Sequence, residues 1–112
     1  MTPAELTVAE VLEKAADLLA EPEGWTQDAF AEDADGNSVP IDSPDATCFC
    51  IRGAIMKVSG ERSDGDFQKQ AAHLMLNSFE RSALARWNDD DMREQAEVVT
   101  ALRAAATKAR QS

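Results

Sequence analysis

The sequence predicts a mainly α fold: a compact bundle of about four helices, with a small β-ribbon or ordered loop between the first two. Three observations carry that prediction. Apolar residues recur at three- and four-residue spacing in several separate stretches. Capping residues stand in front of those stretches. The composition, 44% hydrophobic and 29% charged over 112 residues, is that of an ordinary globular chain of one domain.

The first helix has two possible starts. Thr7-Val8-Ala9-Glu10 has the form of a capping box, and so does Thr2-Pro3-Ala4-Glu5. Val8, Val11, Leu12, Ala15, Leu18 and Leu19 then make one apolar stripe, and Pro22 stops the helix. In the segment that follows, Asp35-Gly36 is a turn dipeptide between Ala29-Phe30-Ala31 and Val39-Pro40-Ile41. It fits a short ribbon there, limited to an edge by Pro40, or an ordered loop.

Ser43-Pro44-Asp45 is a helix-start signal, so a second helix is expected over 44–59. Its residues 48–58 are apolar almost all round, which marks the most buried helix. Gly53 inside it implies that another backbone passes close, and Gly60 ends it. Ser63-Asp64 can cap a third helix carrying Phe67, Ala71, Leu74 and Met75. Asn77-Ser78 ends or kinks it, and Ala83, Leu84 and Trp87 continue an apolar face. Asp91-Met92-Arg93-Glu94 can cap the last helix, whose inward stripe is Gln95, Val98, Val99, Leu102, Ala105 and Ala109. Trp25 and Trp87 are expected to be mostly buried, closing opposite ends of the core.

Charge narrows the function classes. The net charge of -10 argues against direct nucleic-acid binding. Residues 1–47 carry twelve acids and one base, while residues 48–112 carry nine acids and ten bases. Such a surface gives solubility, docks a basic protein partner, or mimics nucleic acid if the acids share one face. No apolar run reaches the ~20 residues of a membrane span, so no membrane contact is expected. The first twenty residues lack a leader's basic start and apolar stretch, and the expected compartment is the cytoplasm.

Few residues suggest chemistry. Cys48, His73 and Asn88 occur in the order found in thiol hydrolases, with Asp89 next. The apolar neighbours of Cys48 favour simple packing. On one helix, Cys48 and Cys50 would point about 200° apart, so neither a mutual disulfide nor a shared metal is expected, and both thiols should react slowly. Asp33, Asp35 and Asn37 open like a calcium loop, but Ser38 and Pro44 stand where it needs glycine and glutamate. A plain turn is the better reading, and no metal or cofactor is expected. Trp87-Asn88-Asp89 either lines a pocket or covers the core while Asn88 ends a helix.

Three blocks carry a resemblance. They are Trp25-Thr26-Gln27 with Ala29-Phe30-Ala31 and Asp33-Ala34-Asp35-Gly36, then Cys48-Phe49-Cys50 with Gly53-Ala54-Ile55, then Ala85-Arg86-Trp87-Asn88-Asp89 with Glu97-Val98. In this order they resemble a family of small bacterial and phage proteins known only as a domain of unknown function. The likeness spans roughly residues 7–109, apart from Ser59 to Phe79. It implies no activity. It does imply that Trp25, Gln27, Cys48, Trp87, Asn88 and Asp89 belong to a shared framework, whether fold or site. The expected function is a non-enzymatic interaction module. The rivals are a thiol-dependent hydrolase or small-ligand binder with a cleft near Cys48 and Trp87, and an acidic nucleic-acid mimic.

Overall fold

A computed structural model of the chain describes residues 6–111. Helix α1 spans Val8–Ala20 and starts at the capping box on Thr7. Thr7 Oγ1 accepts from the Glu10 amide at 3.1 Å, and Glu10 Oε1 accepts from the Thr7 amide at 2.9 Å. The Thr7 bonds hold the Glu10 carboxyl below the usual carboxylate range. The alternative start at Thr2-Pro3-Ala4-Glu5 lies outside the described residues. Glu21, extended ahead of Pro22, ends the helix as expected.

The connection to the next helix departs from expectation. Strand β1, Ala31–Glu32, pairs antiparallel with β2, Cys48–Phe49, so that Ala31 faces Phe49 and Glu32 faces Cys48. The expected Asp35-Gly36 turn does form. Gly36 adopts a φ of 84°, its amide donates to Asp33 O at 3.0 Å, and Val39 N donates to Ala31 O at 3.1 Å. Between those arms, however, only an isolated bridge joins Glu32 to Ser38. Pro40 has no amide to extend it, and the ladder is made with residues 48–49 instead.

This pairing also corrects the second helix, which begins at Ile51 rather than near 44. Helix α2 is Ile51–Ser59. Ser43-Pro44-Asp45 forms a turn, with Asp45 N bound to Ser43 Oγ at 3.1 Å. Thr47 N then donates to Glu32 O at 2.9 Å, and Cys50 N to Phe30 O at 3.2 Å. Thr, Cys and Phe suit a half-buried strand, and cross-strand pairing overrides the local helix signal. Cys48 therefore sits in a strand and Cys50 at the N-cap, not on two faces of one helix. Gly53 behaves as expected, because a Cβ there would collide with the Phe30 carbonyl. Gly60, at φ 78°, closes α2.

Five helices are present among the described residues, one more than the expected four. Helix α3, Asp66–Leu76, is capped by Glu61 and not by Ser63 or Asp64: the Glu61 carboxylate accepts from the amides of Phe67 and Gln68 at 2.8 and 3.1 Å. Asn77 turns left-handed at φ 55° and breaks the apolar run, so α4, Arg81–Asn88, is a separate helix. Helix α5, Gln95–Gln111, starts later than Asp91. Residues 90–93 form a turn on Asp90, whose side chain accepts from Met92 N at 2.8 Å.

One hydrophobic core joins these elements, with Leu12, Leu19, Ile51, Ile55, Leu84 and Leu102 fully buried. Helix α1 lies chiefly against α5 and then α2. The radius of gyration, 12.9 Å, matches a compact chain of this length. Trp25 and Trp87 both pack against the core and keep a minor part of their surface exposed. They do not close opposite ends, since Trp25 bonds the residue that follows Trp87.

Candidate functional site

Asn88 is the residue around which the conspicuous polar groups gather. It is the last residue of α4 and is completely buried. Its Oδ1 accepts from Trp25 Nε1 at 2.8 Å and from the Ile51 amide at 3.0 Å. Its Nδ2 donates to Thr26 O at 3.1 Å and to Asp89 Oδ1 at 2.9 Å. An amide side chain offers two donors and two acceptor positions, so its bonding capacity is filled. The Ile51 bond satisfies an otherwise orphaned amide in the first turn of α2, so α4 caps α2 from a distance.

Gln27 and Asp89 extend the network. Gln27 Nε2 donates to Asn88 O at 3.0 Å and to Asp90 O at 2.8 Å. Asp89 Oδ1 also accepts from the Asp28 amide at 3.0 Å, which holds Asp28 at a φ of 66°. Of the residues singled out in the sequence, Trp25, Gln27, Asn88 and Asp89 thus come together. Trp87 stands outside the network. The Arg93 guanidinium lies 4.0 Å over its ring, and it lines a groove with Leu74, Met75, Leu76, Ala101 and Lys108.

Cys48, His73 and Asn88 are not joined by any hydrogen bond. Cys48 is buried in β2 with its Sγ 3.8 Å from Glu32 O. His73 is exposed on α3 and stacks on Phe79 at 4.4 Å between ring centroids. Among the described residues, no group of three or more His, Cys, Asp or Glu is placed to hold a metal ion.

Two residues near the hub have roles that the sequence did not announce. Cys50 caps α2, its Sγ accepting from Gly53 N at 3.3 Å. Burial pushes its thiol pKa up, against the weaker pull of the Gly53 and Arg52 amides. The signal available was its position three residues before Gly53, the spacing of a cap to its amide. Arg52 reaches from α2 to Gln68 Oε1 at 2.7 Å and Ser63 O at 2.8 Å, with its guanidinium 5.0 Å over the Phe30 ring. Burial lowers its pKa. Nothing in the local sequence marks those partners.

The fold and this hub define a class: a small helical domain whose long first connection is bound to the helices by polar side chains. Within that class the particular family can be given. The chain belongs to DUF6197, a family of unknown function, which matches residues 3–108. Comparison with curated proteins and with solved structures gives no match. Among the described residues, no helix is long and apolar enough to cross a membrane.

Proposed function

We propose that this single helical domain is a non-enzymatic, cytoplasmic interaction module that docks a basic protein partner. The observation that carries the reading is the connection from Glu21 to Cys50. It is thirty residues long, yet hydrogen bonds to the core and the Asn88 hub order it. Long ordered connections of this kind are commonly functional. It holds eight acidic residues and no Lys or Arg, and none of its acids forms an ion pair among the described residues. Six of them, Glu21, Glu23, Asp28, Asp35, Asp42 and Asp45, are exposed. A fixed, unneutralised acidic surface speeds association with a basic surface. The hub supports the non-enzymatic part, because Asn88 spends its side-chain bonds inside the protein. The two unpaired thiols fit a reducing compartment.

The test is affinity capture from host extract, followed by kinetics with the captured protein. Asp35→Asn, Asp42→Asn and Asp45→Asn would be combined in one variant. A basic partner should be retained by the native protein, and its on-rate should fall steeply from low to physiological salt. The variant should slow association about tenfold at low salt. Failure to capture a basic protein, or an on-rate indifferent to salt and variant, overturns the reading.

A further inference from the structure

A second feature adjoins the hub and shares Asp28 with the acidic connection. A cavity of about 490 Å³ opens between the 28–30 segment, Ser38, the start of α2 and the end of α4. Its lining includes Arg52, Phe30, Cys50, Asp28 and Asp89.

Among the described residues, no ion pair joins the charged groups of this cavity to one another. Among the described residues Arg52 is in no ion pair, although the chain carries ten surplus negative charges. Arg62 and Arg86 also lack one, but they are exposed, whereas Arg52 is half-buried. Its Nε and Nη2 bond to neutral oxygens, and its Nη1 makes no hydrogen bond among the described residues. A partly desolvated guanidinium whose Nη1 end is unbonded can receive a carboxylate there. Asp89 uses only Oδ1 for its two structural bonds, leaving Oδ2 unbonded among the described residues. Among the described residues the Asp28 carboxylate has no hydrogen-bond partner, while its backbone is fixed in a left-handed conformation by Asp89. Strained positions of this kind persist where surrounding structure enforces them, and they concentrate at binding sites. Phe30, 38% exposed, supplies an apolar wall under the guanidinium.

A simple anion in this cavity would meet Asp28 and Asp89, and a simple cation would meet Arg52. A ligand carrying both charges satisfies both ends. We propose that the cavity binds a small zwitterion of the amino-acid class, with its carboxylate on Arg52, its ammonium on Asp89 and Asp28, and its carbon chain against Phe30.

The test is titration of the full chain, followed by amide NMR, with glycine, β-alanine and 4-aminobutyrate. Acetate and methylammonium are the singly charged controls. At least one amino acid should give saturable shifts at the amides of Phe30, Ser38 and Arg52. It should bind about tenfold more tightly than either control. Arg52→Gln should erase its advantage over methylammonium. Arg52 also ties α2 to Gln68, so Asp28→Asn gives a second, gentler variant. Asparagine tolerates the left-handed backbone, and Asp28 makes no side-chain bond to lose. This variant should weaken the amino acid and strengthen acetate, with the rest of the spectrum unchanged. Equal binding of amino acids and acetate, shifts centred elsewhere, or no saturable shift at all overturns the proposal. So does an Asp28→Asn variant that binds both ligands as before.

Discussion

The helical frame and the connection between α1 and α2 are stabilised in different ways. In the frame, α1 and α5 bury matched stripes, with Leu12, Leu19, Val98 and Leu102 inside. Their ion pairs, Arg103 with Glu13 and Asp17 and Arg110 with Glu13, sit at the rim. In the connection, the two short strands tuck Ala31, Cys48 and Phe49 into the core, and the rest of the segment is held by directional bonds to Asn88, Asp89 and Asp90. Apolar contact is tolerant of detail. A buried hydrogen-bond hub is not, because each lost partner strands another polar group.

The largest effect should come from the frame. Leu12→Ala, at a fully buried position, should cost about 3–5 kcal/mol. Circular dichroism and tryptophan fluorescence should follow one shifted urea transition. Asn88→Ala should come next, at about 3 kcal/mol, since it strands Trp25 Nε1, the Ile51 amide and Thr26 O. Here the two probes should part: Trp25 emission should shift red while helical signal is largely kept. If both fall together, the two regions are one cooperative unit and the contrast fails.

Gly53→Ala should cost about 2 kcal/mol by forcing the Phe30 carbonyl away from α2. Its sharper signature is faster hydrogen exchange at the Cys50 amide, which donates to that carbonyl. Unchanged exchange would mean that α2 yields and the connection does not. The smallest effect concerns pH. The guanidinium of Arg110, helped by Arg103, holds the Glu13 carboxyl below its usual range. A carboxyl lowered in the folded state stabilises above its unfolded pKa, and that contribution is lost as pH falls through the folded value. Glu13→Gln should therefore flatten the stability loss below about pH 4.5. The pair is solvent-screened, so the change should be small and should shrink with salt. An acid limb unchanged by Glu13→Gln would remove this part of the frame's account.

The same contrast governs what could be read from the sequence. Thr7 with Glu10, the stripe of α1, and Gly60 are local signals, and each was legible. Gly53 was legible because a glycine in an apolar helix implies a close neighbour, although not which one. The start of α2 was misleading. Ser43-Pro44-Asp45 speaks for a helix within three residues, while the pairing that overrides it joins residues 47–50 to residues 30–32. Asn88 could be read as a helix end, but Trp25 and Ile51, its partners, are 63 and 37 residues away. Side-chain bonds between distant segments leave no period in a sequence. For the same reason Arg52 gave no hint of Gln68, sixteen residues on.

The pairing of α1 with α5 sets a schedule for synthesis. Helical proteins usually fold quickly because their contacts are close in sequence. Here Arg103 meets Glu13 across ninety residues, and the apolar face of α1 lacks its main cover until α5 has been made, although α2 packs on part of it earlier. At ordinary translation speeds that interval lasts several seconds. For that time the nascent chain presents an amphipathic helix to the ribosome surface and to chaperones. Slower codons between α1 and α5 would lengthen that exposure.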